Sequence, residues 1–237
     1  MSLSREQTLR EMGLAPQWRL RAAPVEPASS VAVVVEPVAV VSLVPESATG
    51  LLNWDQLAAA VSSCHQCVLG EQRNQAVLGV GDRNADWLFV GEGPGAEEDA
   101  RGEPFVGQAG KLLDSMLAAI GLKRGKNVYI ANAVKCRPPN NRTPEPEESA
   151  ACWPYLERQI ELIQPKLIVA LGRPAAQALL NAEVKIGAAR GQIHRYREIP
   201  VIVTYHPAYL LRSLLDKSKA WEDLCFMRRT MRELQND

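Results

Sequence analysis

The sequence predicts an α/β domain built on a parallel sheet, and three observations carry that prediction. Four short apolar runs, Trp87–Val90, Val128–Ala131, Leu167–Leu171 and Val201–Tyr205, are rich in β-branched or aromatic residues and short enough to be buried strands. Helical apolar spacing fills the intervals between them, over 107–120, 145–163 and 173–182, and a last helix covers 218–235. Strands alternating with helices close into a parallel sheet covered on both faces. The expected architecture is therefore three-layered, α/β/α, around a central four-stranded, mainly parallel sheet. A chain of 237 residues suits one such domain plus a tail.

The tail comes first. Residues 1–21 place Leu9, Met12 and Leu20 at helical positions and predict a short helix. Residues 22–50 are Val/Ala/Pro-rich, with Pro24, Pro27, Pro37 and Pro45, and read as a flexible, extended linker. Glu36 and Pro37 break the apolar stretch Val31 to Val44, so it neither spans a bilayer nor makes a stable helix. The globular domain is expected over 51–237, opening with a helix over 52–63.

Charge and cysteine usage narrow the function classes. The 27 basic and 27 acidic residues balance, which excludes a polybasic nucleic-acid coat and a wholly disordered chain. Any binding to DNA must come from a local basic strip. No membrane span is expected, and the charged start MSLSREQTLREMGL does not read as an export signal. Five cysteines, odd in number and unevenly spread, fit a reduced chain in the cytoplasm better than a disulfide framework.

Cys64 and Cys67 form a C-x-x-C at the end of the first helix, and Cys136 and Cys152 follow far downstream, sixteen apart. Four thiolates from distant segments suit either a structural zinc or a [4Fe–4S] cluster. Zinc ribbons use two tight pairs, and the wide second pair tilts the reading toward the cluster. Cys225, in the terminal helix, reads as a buried small hydrophobe.

The first strand runs into Gly91-Glu92-Gly93-Pro94-Gly95, a tight turn that brings bare backbone N–H groups toward a ligand. Residues 86–103 hold six acids and one base, so a neutral ligand or a developing cation suits this loop better than a pyrophosphate. Phe105 sits in a Gly/Pro-rich loop before a helix, either as a plug under the loop or as a stacking platform for a flat ring. His206 follows the fourth strand, at the sheet edge where active sites gather. Leu210, Leu211 and Arg212 are expected as a loop with apolar bulk and a positive end, suited to wedging into a base stack. Between residues 185 and 229, nine Lys/Arg face four acids, a basic strip that Arg137 and Arg142 extend.

Together these pieces resemble the family 4 uracil-DNA glycosylases, the iron–sulfur branch of their superfamily. The resemblance rests on GEGPGAEED (91–99), GEPFVGQAGKLLD (102–114), NVYIANAVKCRPPNNR (127–142), the four cysteines and HPAYLLR (206–212), which appear in the family's order and span residues 64 to about 225. It implies excision of uracil from single- or double-stranded DNA, in base-excision repair, by a monomer that flips the target base into a pocket. Phe105 would stack on the uracil ring. Asn132 would read its edge, and Glu92, Gly93 and Glu98 would line the base. His206 would donate to O2. Glu92, Glu98 or Asn141 would orient the water, because Gly93 stands where related families carry Asp or Asn. Arg137, Arg142, Leu211 and Arg212 would contact DNA. Cys64, Cys67, Cys136 and Cys152 would hold the [4Fe–4S] cluster, with zinc as the alternative. Asn140 departs from the glycine common there. A second class, a metal- or cluster-stabilised module that binds DNA or a polymerase without chemistry, would explain the cysteines and the basic strip but not the pocket residues.

Overall fold

In a computed structural model, which describes residues 48–236, each of the four apolar runs forms a parallel strand. The predicted N-terminal helix and linker lie outside the described residues, except that Ala48–Gly50 enter a 3-10 turn, Ala48–Leu51. The order along the chain is α1 (Trp54–Ser62), α2 (Leu69–Gln72), β1 (Val80–Gly81), β2 (Trp87–Gly91), α3 (Ala96–Arg101), α4 (Gln108–Ala119), β3 (Val128–Asn132) and α5 (Pro146–Ile163). There follow β4 (Leu167–Leu171), α6 (Arg173–Leu180), α7 (Ile186–Ala189), β5 (Ile193–Tyr196), β6 (Ile199–Thr204), α8 (Pro207–Arg212) and α9 (Lys217–Asn236).

The sheet has six strands in the order β1-β3-β2-β4-β6-β5, two more than expected. The extra strands, β1 and β5, are antiparallel edges. Neither carries an apolar run that would announce it. β1 is a Val-Gly pair, and β5 (IHRY) is half exposed along its length.

Period-two alternation divides the core between the two faces. Leu88, Val90, Ala131, Ile168, Ala170, Val201 and Val203 pack with Leu156 and Ile160 of α5 and with Ala175, Ala176 and Leu179 of α6. Trp87, Phe89, Val128, Ile130, Leu167, Val169 and Ile202 face the other way, onto Leu113 and Leu117 of α4 and Leu224, Met227 and Met231 of α9. That is the predicted α/β/α layering. Among the described residues no helix is long and apolar enough to cross a membrane.

Two local corrections matter for the site. Leu210–Arg212 is not a loop but the end of α8, and Leu210 is a core residue, 1% exposed. Asn140 sits at φ 55°, ψ 21°, inside the 3-10 turn Pro139–Asn141. Asn tolerates this left-handed backbone better than most residues, so it can stand where a glycine is common.

Candidate active site

The register brings four strand ends to one edge: Gly91 lies opposite Asn132, and Leu171 opposite Thr204. The chain moves from β2 outward to β3, then crosses back over β2 to β4. Such a reversal opens a crevice at the carboxyl ends of the strands. Here it is a cavity of about 740 Å³. Glu92, Gly93, Glu98, Phe105, Asn132, Asn141, Arg142, His206 and Arg212 all line it, whereas Arg137 and Leu211 do not.

Asn132 ends β3 and is 2% exposed, and its Oδ1 has no hydrogen-bond partner. An orphaned acceptor costs roughly 1–3 kcal/mol, which a bound ligand can recover. The space before it exists because residue 91 is glycine. A Cβ there would stand 2.4 Å from Asn132 Oδ1 and 2.6 Å from Phe105 Cζ. Gly91→Ala is accordingly expected to push both groups out of register and lower the rate of base release by about 100-fold. A single-turnover assay showing less than about a threefold loss would refute this reading of the pocket floor.

Phe105 is 6% exposed, with its ring centroid 5.5 Å from that of His206 and the planes tilted by 31°. Its φ of 56° is left-handed, a conformation that costs a non-glycine residue about 1–2 kcal/mol. Two clamps hold it. Glu98 accepts from the Val106 and Gly107 N–H groups at 2.9 and 3.1 Å, and its other oxygen accepts from Gly95 N–H at 3.1 Å. From the opposite side Arg124 donates to the Pro104 and Phe105 carbonyls at 2.8 and 2.9 Å while pairing with Asp114. Glu98 therefore ties the GEGPG loop to the Phe105 loop. Arg124 carried no sequence signal, since it meets the loop only through the fold.

His206 caps α8, its Nδ1 accepting from Ala208 N–H at 3.1 Å. That bond leaves Nε2 as the protonated nitrogen. Burial first, and then the Arg212 cation, lower the imidazole to about 4, so it is neutral near pH 7. Gly172, at φ 90°, gives it room; a Cβ there would lie 3.0 Å from His206 Cβ.

Burial raises the Glu92 carboxyl above the usual carboxylate range, against the opposing pulls of its bond to Thr143 and of the Arg173 charge. Gly93 is hemmed in, since a Cβ there would meet Val134 Cγ2 at 2.8 Å. Asn141 Oδ1 accepts from Arg137 Nε at 2.8 Å. Arg142 is held by both oxygens of the buried Glu148, at 2.6 and 2.8 Å, and latches the 137–143 loop to the start of α5. The basic strip is less free than its count implied. Arg190 pairs with Asp223 and Glu222, Arg197 with Glu157 and Glu161, and Lys219 with Asp216. Arg212 is in no ion pair among the described residues, and Leu211 beside it is 42% exposed.

Cys64, Cys67, Cys136 and Cys152 line a second cavity, and all four are free thiols; Cys225 lies apart on α9. Arg73 Nη1 donates to Cys136 Sγ at 2.8 Å, and the Lys135 backbone N–H to Cys152 Sγ at 3.2 Å. Such donors stabilise thiolate ligands. Among the described residues, no three or more His, Cys, Asp or Glu side chains are gathered as ligands for a single metal ion. Four sulfurs facing one cavity nonetheless match the donor set of a cluster.

Comparison with known proteins settles the lineage. The family model described as Uracil DNA glycosylase superfamily matches residues 78–225. The type-4 uracil-DNA glycosylase of Archaeoglobus fulgidus is 47% identical over 167 residues, covering 67% of this chain and 83% of that protein. The chain belongs to the type-4 uracil-DNA glycosylases. A type-4 uracil-DNA glycosylase of Pyrobaculum aerophilum is 42% identical over 182 residues (73% of this chain, 92% of that one). That of Thermotoga maritima is 50% identical over 155 residues (65% and 80%). The superfamily match, over residues 78–225, includes the segments that line the pocket, from Glu92 to Arg212.

Proposed function

We propose that the chain is a uracil-DNA glycosylase that hydrolyses the N-glycosidic bond of uracil in DNA during base-excision repair, inside the cell and as a monomer. One observation carries the reading of the site: the unpartnered Asn132 Oδ1, facing a cavity beside Phe105 and His206. The target nucleotide is flipped into that cavity from single- or double-stranded DNA. Phe105 stacks on the base. The Asn132 amide accepts from uracil N3–H and donates to O4, a pattern that cytosine reverses.

As the bond between C1′ and N1 breaks, its electron pair stays on the uracil, and His206 Nε2–H faces O2 where that charge gathers. A neutral imidazole donates without losing its proton. Water then adds to the sugar C1′. Of the three candidates for orienting it, Glu92 is favoured, because the Glu98 oxygens are occupied by backbone N–H groups and Asn141 Oδ1 holds Arg137. The acidic loop also stabilises positive charge on the sugar. Arg212, on the cavity wall, and the exposed Leu211 beside it would contact the DNA, with Arg137 and Arg142 shaping the neighbouring loop. Cys64, Cys67, Cys136 and Cys152 would hold a [4Fe–4S] cluster in preference to zinc, supplying a rigid cross-link. Hydrolysis of this bond transfers no electrons, so the cluster's place is structural.

The test is a labelled oligonucleotide carrying one uracil, incubated with purified protein and then cleaved with alkali. Cutting at uracil and not at thymine or cytosine is expected. Asn132→Asp, which removes the donor to O4, is expected to reduce cutting by about 100-fold or more. Protein that contains iron yet does not cut would leave only a DNA-binding module.

A further inference from the structure

One lysine in the wall of the cysteine cavity reaches back to the residue that faces the base. Lys135 is 1% exposed. Its Nζ donates to the backbone carbonyl of Asn132 at 2.8 Å and to Gln159 Oε1 at 2.5 Å. Gln159, itself fully buried, is fixed in turn by donating to the Leu78 carbonyl at 2.9 Å and to the Tyr129 hydroxyl at 3.3 Å. The backbone N–H of the same lysine donates to Cys152 Sγ. A buried ammonium needs its donors satisfied, and here two neutral oxygens do it, one of them belonging to the residue that faces the base.

We propose that Lys135 is a positioning residue for base reading: from behind the cavity it fixes the end of β3, so that the Asn132 amide is presented to uracil at a set angle, and its N–H to Cys152 anchors that fixation on the four-cysteine site. This rests on the reading of Asn132 given above. Past Asn132 the backbone stays paired to the end of β2, with Ala133 N–H donating to the Gly91 carbonyl at 2.8 Å and Val134 N–H to the Glu92 carbonyl at 3.1 Å, while the Asn132 carbonyl itself accepts from the ammonium. A rotation of that peptide moves the amide at the other end of the same residue. Displacements of about 1 Å at a recognition group cost on the order of 100-fold in rate.

The experiment is a double-mutant cycle in the intact protein, with Lys135→Met and Asn132→Ala singly and together. It is read by single-turnover cutting of the uracil oligonucleotide and by affinity for an uncleavable uracil analogue in DNA. Iron content is measured for each protein. Lys135→Met alone is expected to lower the rate by about 10- to 100-fold with iron retained. In the Asn132→Ala background the same change should cost less than about threefold, because the amide it positions is gone. Affinity for the analogue should fall in the same coupled way. Gln159→Met, which removes the other acceptor of the ammonium, is the second variant should Lys135→Met not accumulate; its loss too should vanish when Asn132 is alanine. Additive losses, or losses that track missing iron, would overturn the inference. Native protein that leaves uracil uncut would overturn the functional reading beneath it, whereas native cutting with additive losses overturns this inference alone.

Discussion

His206→Ala is expected to slow uracil release by about 100- to 1,000-fold, the usual cost of removing one preorganised donor to a developing anion. DNA affinity should change little, because the interaction strengthens only as charge gathers on O2. A pure binding module would show no activity to lose, and a loss confined to affinity would refute the role. The residue also makes a pH prediction. Its folded value of about 4 lies below the ordinary 6.5, so the unfolded chain takes up a proton first as pH falls. The stability it contributes is present above pH 6.5 and is lost as pH drops through 4, a difference worth about 3 kcal/mol. Urea unfolding of native and His206→Ala protein, followed from pH 7 to 4, should therefore converge at the acid end. Catalysis, by contrast, should be insensitive to this imidazole from about pH 5 to 8, where it stays neutral.

Cys152→Ala should have the second large effect, and it acts on the frame. Cys152 lies on α5, Cys136 follows β3, and Cys64 and Cys67 flank the turn between α1 and α2. Cross-linking these segments constrains a stretch that packs through a small apolar cluster around Leu57 and Val61. Loss of the cysteine should abolish bound iron and brown colour. It should also lower the melting temperature by about 10 °C, as a loss of several kcal/mol does in a domain of this size. Trypsin should then cut at Arg73, whose guanidinium bonds Cys136 Sγ and the Ser62 carbonyl. Cys225→Ala should change none of these. Iron retained at native levels in Cys152→Ala would refute the assignment of this cysteine.

The four central strands were legible because burial on both faces writes an uninterrupted apolar run. The edge strands were not, since a two-residue pairing and a half-exposed strand leave no such run. Residues of the cavity stood out through type and place: a glycine turn at a strand end, an amide at the next, and a histidine after the last. What joins them was hidden. Arg124 reaches the Phe105 loop across the fold, and Lys135 looked like any lysine beside a cysteine until β3 and α5 packed around it. The basic strip misled in the other direction, because composition counts charges and not the carboxylates that the fold places beside them. Arg190 lies between Asp223 and the ring of Tyr205 and is engaged within the fold.

The two edge strands have a consequence for how the protein keeps company with itself. An exposed sheet margin is a template on which another chain can add a strand. Here one margin is two residues long and includes a glycine at φ 136°, and the other carries His194 and Arg195 and pairs with a proline, Pro200. A foreign strand meets a short, kinked border on one side and a cationic one on the other. The sheet can thus keep its apolar strands at the centre and still resist fibril growth along its borders.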